Sequence, residues 1–195
     1  MSRATNDQRA VEGVVVPGWE RQLAVAHWLL SAARDQDVAR REWLLQGAAL
    51  LACGGIFAAV RLPGDLVRIA AQMSAEVEVN GFLRRALDGG PVIHGRYADH
   101  YYALVPGSTA WRRPPRAFPG LECLGRDCFL GVPAVDRTEP EGRAYWAVPM
   151  GSPGGLCDPR LVWVLVQLAQ ERHQAAEAAG LTVLEQTAGS SRAAR

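Results

Sequence analysis

Between Glu42 and Arg61 the chain carries no charge at all: residues 43–60 read WLLQGAALLACGGIFAAV, and so apolar a run has to be buried somewhere. A membrane-spanning helix needs about 20 predominantly apolar residues, so the run lies near the lower limit for a span. Ala and Gly supply much of it, Gln46 interrupts it, and Gly54-Gly55 divides it into a helix-like and a strand-like half. Glycine pairs punctuate elements rather than continue them. The run is therefore read as a buried helix end or loop, a turn, and a central strand over 56–62 that stops at Pro63-Gly64. No membrane partner is expected.

The chain has 195 residues, 49% of them hydrophobic, which is enough for one domain with its own core. Residues 13–180 are expected to form that domain, with disordered tails at 1–12 and at 181–195, the latter closing on TAGSSRAAR. A helix is expected over 19–34, with Trp19, Leu23, Ala26, His27 and Leu30 on one face and His27 at its edge. Two helical stretches follow at 65–73 and 77–87. GGPVIHGRYADHYYALVPG predicts a hairpin, with Val92 and Ile93 before its turn and Tyr101 to Val105 after it. Further strands are expected at 121–124, 128–132 and 144–148. Asp158 and Pro159 open a last helix with Leu161, Val162, Leu165 and Leu168 on one face, and Gly180 can stop it. The order predicts an α+β fold, a mixed and mostly antiparallel sheet packed against helices.

Charge excludes some functions. All 21 basic residues are Arg, set against 20 acidic residues, so the formal charge is +1 and no global field draws the chain toward nucleic acid or anionic lipid. A coding bias in a high-GC genome accounts for the arginines as well as selection does. Without Lys there is no phosphate-loop lysine, Schiff base or lysine nucleophile. Cys53, Cys123, Cys128 and Cys157 form no CxxC pair and read as free thiols in a reducing cytosol. The first residues lack a signal-peptide core, which places the expectation in the cytoplasm.

No GxxxxGK[ST], GxGxxG, HExxH or GxSxG occurs. Asp65 is expected to cap a helix, and Ser108 and Thr109 to form a turn. Asp99 and His100 open an aromatic strand from which His100 reaches toward a phosphate or nucleotide or, on the bland reading, simply ends an edge strand. The following loop carries Trp111, Arg112, Arg113, Arg116 and Phe118, forked donors among stacking rings that suit single-stranded nucleic acid, or an ordinary solvated loop.

GRYADHYYALVP, LECLGRDCFLGVP and GRAYWAVP, in that order, resemble motifs of the bifunctional DNA primase/polymerase N-terminal domain of the archaeo-eukaryotic primase superfamily, in the small stand-alone versions met in high-GC bacteria. The resemblance covers roughly residues 43–165. It implies a primase-polymerase-like fold, puts His100 in the nucleotide-contacting place, puts Glu122 where the third motif has its acid, and matches Phe129 to Pro133 to the strand that ends in proline.

The first motif departs from that pattern. It should offer two acids alternating on a strand, because polymerisation uses two metal ions held by carboxylates. The matching strand has Val60, Arg61 and Leu62 there, and Glu122 beside Arg61 is expected to form an ion pair rather than to bind magnesium. The expectation is a catalytically degenerate domain, His100 and Glu122 being remnants, that retains nucleotide or single-stranded nucleic-acid binding through Arg96, Trp111, Arg112, Arg113, Arg116 and Arg126. No metal or cofactor is expected. The alternative is a non-enzymatic interaction or regulatory module that keeps the fold as a scaffold, with a partner surface including Trp111 or Trp163. A third reading is a nucleotidyl transferase or hydrolase with a relocated magnesium site built from Glu122, Asp127 and Asp65.

Overall fold

The computed structural model describes residues 17–109 and 119–193, with side chains as far as 179. Five helices and seven strands follow in the order α1 (Gly18–Leu30), α2 (Gln36–Gln46), β1 (Ala48–Ala52), β2 (Phe57–Pro63), α3 (Gly64–Ala71), α4 (Glu76–Ala86), β3 (Val92–Gly95), β4 (His100–Pro106), β5 (Glu122–Leu124), β6 (Phe129–Pro133), β7 (Ala144–Val148) and α5 (Pro159–Ala193). The fold is α+β: a five-stranded sheet runs β5-β2-β4-β3-β7, a two-stranded sheet pairs β1 with β6, and every described pairing is antiparallel.

Alternation along the central strands sends side chains into two cores. Ala58, Val60 and Leu62 of β2 and Tyr101, Ala103 and Val105 of β4 pack against α3, α4 and α5, with Leu66, Val79, Leu83, Val162 and Leu165 opposite them. Phe57 and Ala59 of β2, Ile93, Leu104 and Trp146 point the other way, into a core closed by Val25 and Leu29 of α1, Ala39 of α2 and the inward residues Ala49, Leu51, Leu130 and Val132 of the small sheet. The central strands are buried on both faces over most of their length, which is why β2 opens on the apolar run Phe57 to Val60 before Arg61.

Local chemistry sets the element ends. Asp35 caps α2 by accepting from the backbone of Asp37 and Val38 at 2.9 and 3.0 Å, and Gly47, at φ 76°, ends it in the left-handed region. Asp158 caps α5, its carboxylate accepting from the Arg160 backbone at 2.8 Å. In α4 the acids Glu76 and Glu78 lie in the first turn and Arg84 and Arg85 in the last, matching the helix dipole.

Four expectations are corrected. Residues 48–52 form a strand, β1, where a helix end or loop was expected: its inward pair, Ala49 and Leu51, alternates with Leu50 facing solvent. Asp65 does not cap α3; the helix starts at Gly64 after Pro63, and Asp65 sits in its first turn bound to Arg68. Helix α1 ends at Leu30 and buries Val25, Leu29 and Leu30, leaving Trp19, Leu23 and His27 exposed, because the chain crosses the sheet on a face turned from the one expected. Helix α5 continues through Gly180 to Ala193, one glycine being an insufficient stop. The expected tail at 1–12 lies outside the described residues. No helix among the described residues is long and apolar enough to cross a membrane.

Two tryptophans attach the small sheet to the rest. The Trp43 indole N–H donates to the Val132 carbonyl at 2.9 Å, and the Trp146 indole N–H is shared between the carbonyls of Pro133 and Ala134 at 3.2 and 3.1 Å. Trp146 is 2% exposed, so both its ring and its donor are committed. Trp146→Phe, which keeps an apolar ring and leaves those carbonyls unpaired, is expected to lower stability by about 1–3 kcal/mol. Trp146→Ala is expected to cost about 3–5 kcal/mol, both values read from urea unfolding monitored by far-UV circular dichroism.

Candidate functional site

The hairpin of β3 and β4 carries polar groups on both of its faces. Its turn closes on Asp99, a non-glycine residue at φ 49°. The Asp99 carbonyl accepts from the Gly64 backbone at 2.8 Å, and the Asp99 carboxylate receives both terminal nitrogens of Arg68 at 3.1 and 2.6 Å. A Cβ on Gly64 would fall inside contact distance of that carboxylate, so the start of α3 and the end of the turn are fitted to each other by a missing side chain. Alternation then divides the hairpin between the two faces of the sheet.

Toward α3 and α4 lies a buried polar group. His94 is 3% exposed, its ring stacked on Tyr101 with centroids 4.0 Å apart. Its Nε2 lies 3.3 Å from Asp99 and its Nδ1 3.4 Å from the Tyr145 hydroxyl. A carboxylate only accepts, so Nε2 carries the proton; Nδ1 then accepts from Tyr145, whose oxygen in turn takes a bond from Asn80 at 3.1 Å. Arg96 pairs with Glu76 at 3.1 Å on this same side. Burial pushes the His94 pKa down, against the pull of Asp99, while Arg68 holds the Asp99 carboxyl below the usual range.

The opposite face carries the residues expected to be functional. Register sets Arg61 of β2 directly beside Tyr102 of β4 on one side and Glu122 of β5 on the other. The Arg61 guanidinium meets Glu122 at 2.7 Å and donates through Nε to the Gly120 carbonyl at 2.9 Å. His100 is next along β4, its ring centroid 6.4 Å from that of Tyr102 and its Nε2 facing Gly120. His100 Nδ1 is buried without a hydrogen-bond partner among the described residues. The small sheet covers Phe57 and Ala59 at one end of this face but leaves Arg61, 32% exposed, and Glu122, 49% exposed, open to solvent.

The sequence-based site residues thus fall into three groups. His100, Glu122 and the first-motif position Arg61 are brought together. Arg96 is not: it belongs to the other face, with Glu76. Arg126 is also apart, in the β5–β6 turn beside a separate cavity. Trp111, Arg112, Arg113 and Arg116 lie outside the described residues. The carboxylates of the relocated-metal reading do not converge, since Glu122 is held by Arg61, Asp65 by Arg68 on the far side of the sheet, and Asp127 lies in the β5–β6 turn. Among the described residues no three His, Cys, Asp or Glu side chains gather as a metal-binding group. Nor do the residues of the Arg61 face fit a two-metal centre, because a divalent cation drawn to Glu122 would meet the guanidinium already there. What this face can do is hold an anion on Arg61 and stack a ring near Tyr102 and His100.

Sequence reasoning missed His94. Its partners Tyr145 and Asn80 are 51 and 14 residues away and Asp99 five, a spacing that marks no motif; the one local signal was a histidine inside an apolar strand, VIHG.

Acidification reads out the buried network. With its folded pKa below the ordinary 6.5, His94 contributes stability that is fully present above that value and is lost as the pH falls through it; Asp99 adds a second loss below 3.8. The free energy of unfolding is expected to fall between pH 7 and pH 5, and His94→Gln to flatten that fall, as measured by urea titration at each pH. Compared with known proteins, the chain matches no family model, no curated protein and no solved structure.

Proposed function

We propose that this protein is a non-catalytic, primase-polymerase-like domain that binds single-stranded nucleic acid or nucleotide on the open end of the sheet face carrying Arg61, His100 and Tyr102. One observation supports this most: Arg61 and Tyr102, aligned across β2 and β4, bring a forked cation and a phenol ring to one solvent-open face, with His100 next along β4. After the Arg-rich sequence 111–116 the described structure resumes at Pro119-Gly120, whose Gly120 carbonyl accepts from Arg61 and whose Cα faces His100. Backbone phosphates need cations and splayed bases need rings. Among the described residues the one carboxylate of this face, Glu122, is held by Arg61, which supports binding without polymerisation.

A second reading, a protein-interaction module, is favoured by a different surface. Leu23, Leu30, Trp43, Leu44 and Val135 line an apolar groove between α1, α2 and residues 134–137, and Leu44 and Leu45 are each 83% exposed beside it.

Fluorescence anisotropy with a labelled single-stranded oligonucleotide separates the two. Saturable binding is expected at low salt, weakening as salt rises. Arg61→Ala is expected to weaken it about tenfold, as a charge-assisted contact does, and His100→Ala less. Arg112/Arg113/Arg116→Ala is expected to reduce the slope of log K against log salt by about 2, at roughly 0.7 per phosphate contact. Glu122→Gln frees Arg61 from its ion pair and is expected to tighten binding. No binding at low salt sinks the proposal and leaves the interaction reading; primer extension by the wild-type protein sinks its non-catalytic half.

A further inference from the structure

A cavity of about 440 Å³ opens on the far side of the small sheet's edge, between the end of α1, the turn at 53–56 and the turn at 125–128. Two arginines face it. Arg34 follows α1 and lies with its guanidinium carbon 4.6 Å from the centroid of the Phe129 ring, a contact that orients the charge without neutralising it. Arg126 sits on the β5–β6 turn, and that turn is fixed. Cys53 donates its backbone N–H to Cys128 at 2.9 Å, Cys128 closes its own turn on Gly125 at 3.1 Å, and Gly54, at φ 82°, lies so near the Arg126 backbone that any Cβ would collide with it. Among the described residues neither arginine has an ion-pair partner, and Asp127 is the one carboxylate lining the space.

Two guanidinium forks against one carboxylate leave an anion-attracting mouth, and Ala32, Ile56 and Phe129 give it an apolar wall. A volume of this size falls within the ordinary range for small organic ligands and is far larger than an inorganic ion requires. Guanidinium forks match phosphate oxygens in pairs, and a phosphate monoester has enough of them to engage two arginines at once. Nothing here draws on the Arg61 face. Arg126 lies past the end of β5 at Leu124, on the turn closed between Gly125 and Cys128.

We propose that this cavity is a second binding site, for a small phosphorylated molecule of the nucleotide class. Its phosphate rests between Arg34 and Arg126 and its ring or sugar against Ile56 and Phe129. The site binds the intact ligand and carries out no chemistry on it.

Cys128, half-buried in the cavity wall, reports occupancy, and Cys123, half-buried on β5 and outside the cavity, serves as internal reference. The full chain is treated with N-ethylmaleimide, the alkylated cysteine identified by mass spectrometry, and labelled AMP binding measured in parallel by equilibrium dialysis. AMP is expected to bind saturably and to slow alkylation of Cys128 relative to Cys123; inorganic phosphate should do so more weakly, and adenosine not at all. Arg34→Gln and Arg126→Gln, each confirmed folded by its melting temperature, are expected to weaken AMP binding about tenfold or more. Arg61→Ala should leave the AMP protection of Cys128 intact, even where it removes AMP taken up by the open sheet face, which separates the two sites. The proposal is overturned if dialysis finds no AMP binding at millimolar concentration, if both arginine variants bind as the wild type does, if Arg61→Ala abolishes the effect, or if succinate competes as well as phosphate.

Discussion

Asp99 holds a backbone conformation that costs a side-chain-bearing residue roughly 1–2 kcal/mol, and it holds it where the β3–β4 turn meets the start of α3. Its carbonyl fixes the first residue of α3, and its carboxylate binds Arg68 from that helix and His94 from the facing strand. The β2–α3 corner and the β3–β4 turn are therefore one unit. Register follows from it. With Gly64 tied to Asp99, Pro63 stands opposite His100 and Arg61 opposite Tyr102, and a slip of one residue would exchange the buried and open faces of both strands.

That dependence explains why the open face can be rigid while most of its members are half-exposed. His100 and Tyr102 are set outward by the same alternation that sets Tyr101 inward, where its ring lies under His94. The polar groups behind the sheet carry no ligand-facing role in the proposed function. They act through position, holding one hairpin at one angle so that Arg61, Tyr102 and Glu122 lie side by side across three strands.

How much of this could be read beforehand varied with how local the cause was. Strands β2, β4, β6 and β7 were legible because each is a short, largely apolar run that ends on or just before a proline. The Asp158 cap was legible because capping is a four-residue affair. The Arg61–Glu122 pair was anticipated from the motif resemblance, which brings the first- and third-motif positions together, and it formed. Strand β1 was hidden because AALLA has no polar residue to mark its outward side, and its pairing partner lies some 80 residues on. The face of α1 was misjudged because Trp19 and Leu23 satisfy helical spacing yet remain exposed, the helix being buried along Val25 and Leu29. Arg96 and Arg126 were grouped with the others on charge alone, and charge says nothing about which face of a sheet a turn residue reaches.

The five-stranded sheet ends on one side in β5, which is only three residues long and turns away at once through Gly125 and the left-handed Asp127, φ 67°. On the other side β7 is longer, but the Trp146 backbone N–H is spoken for, donating to the Arg137 carbonyl at 2.7 Å. Edges of sheets are where chains recruit one another into larger and less soluble arrays. Here one border is too short to template a further strand and the other is already masked by the chain's own loop. The five-stranded sheet can thus leave its Arg61 face open to solvent without offering its border strands to its neighbours.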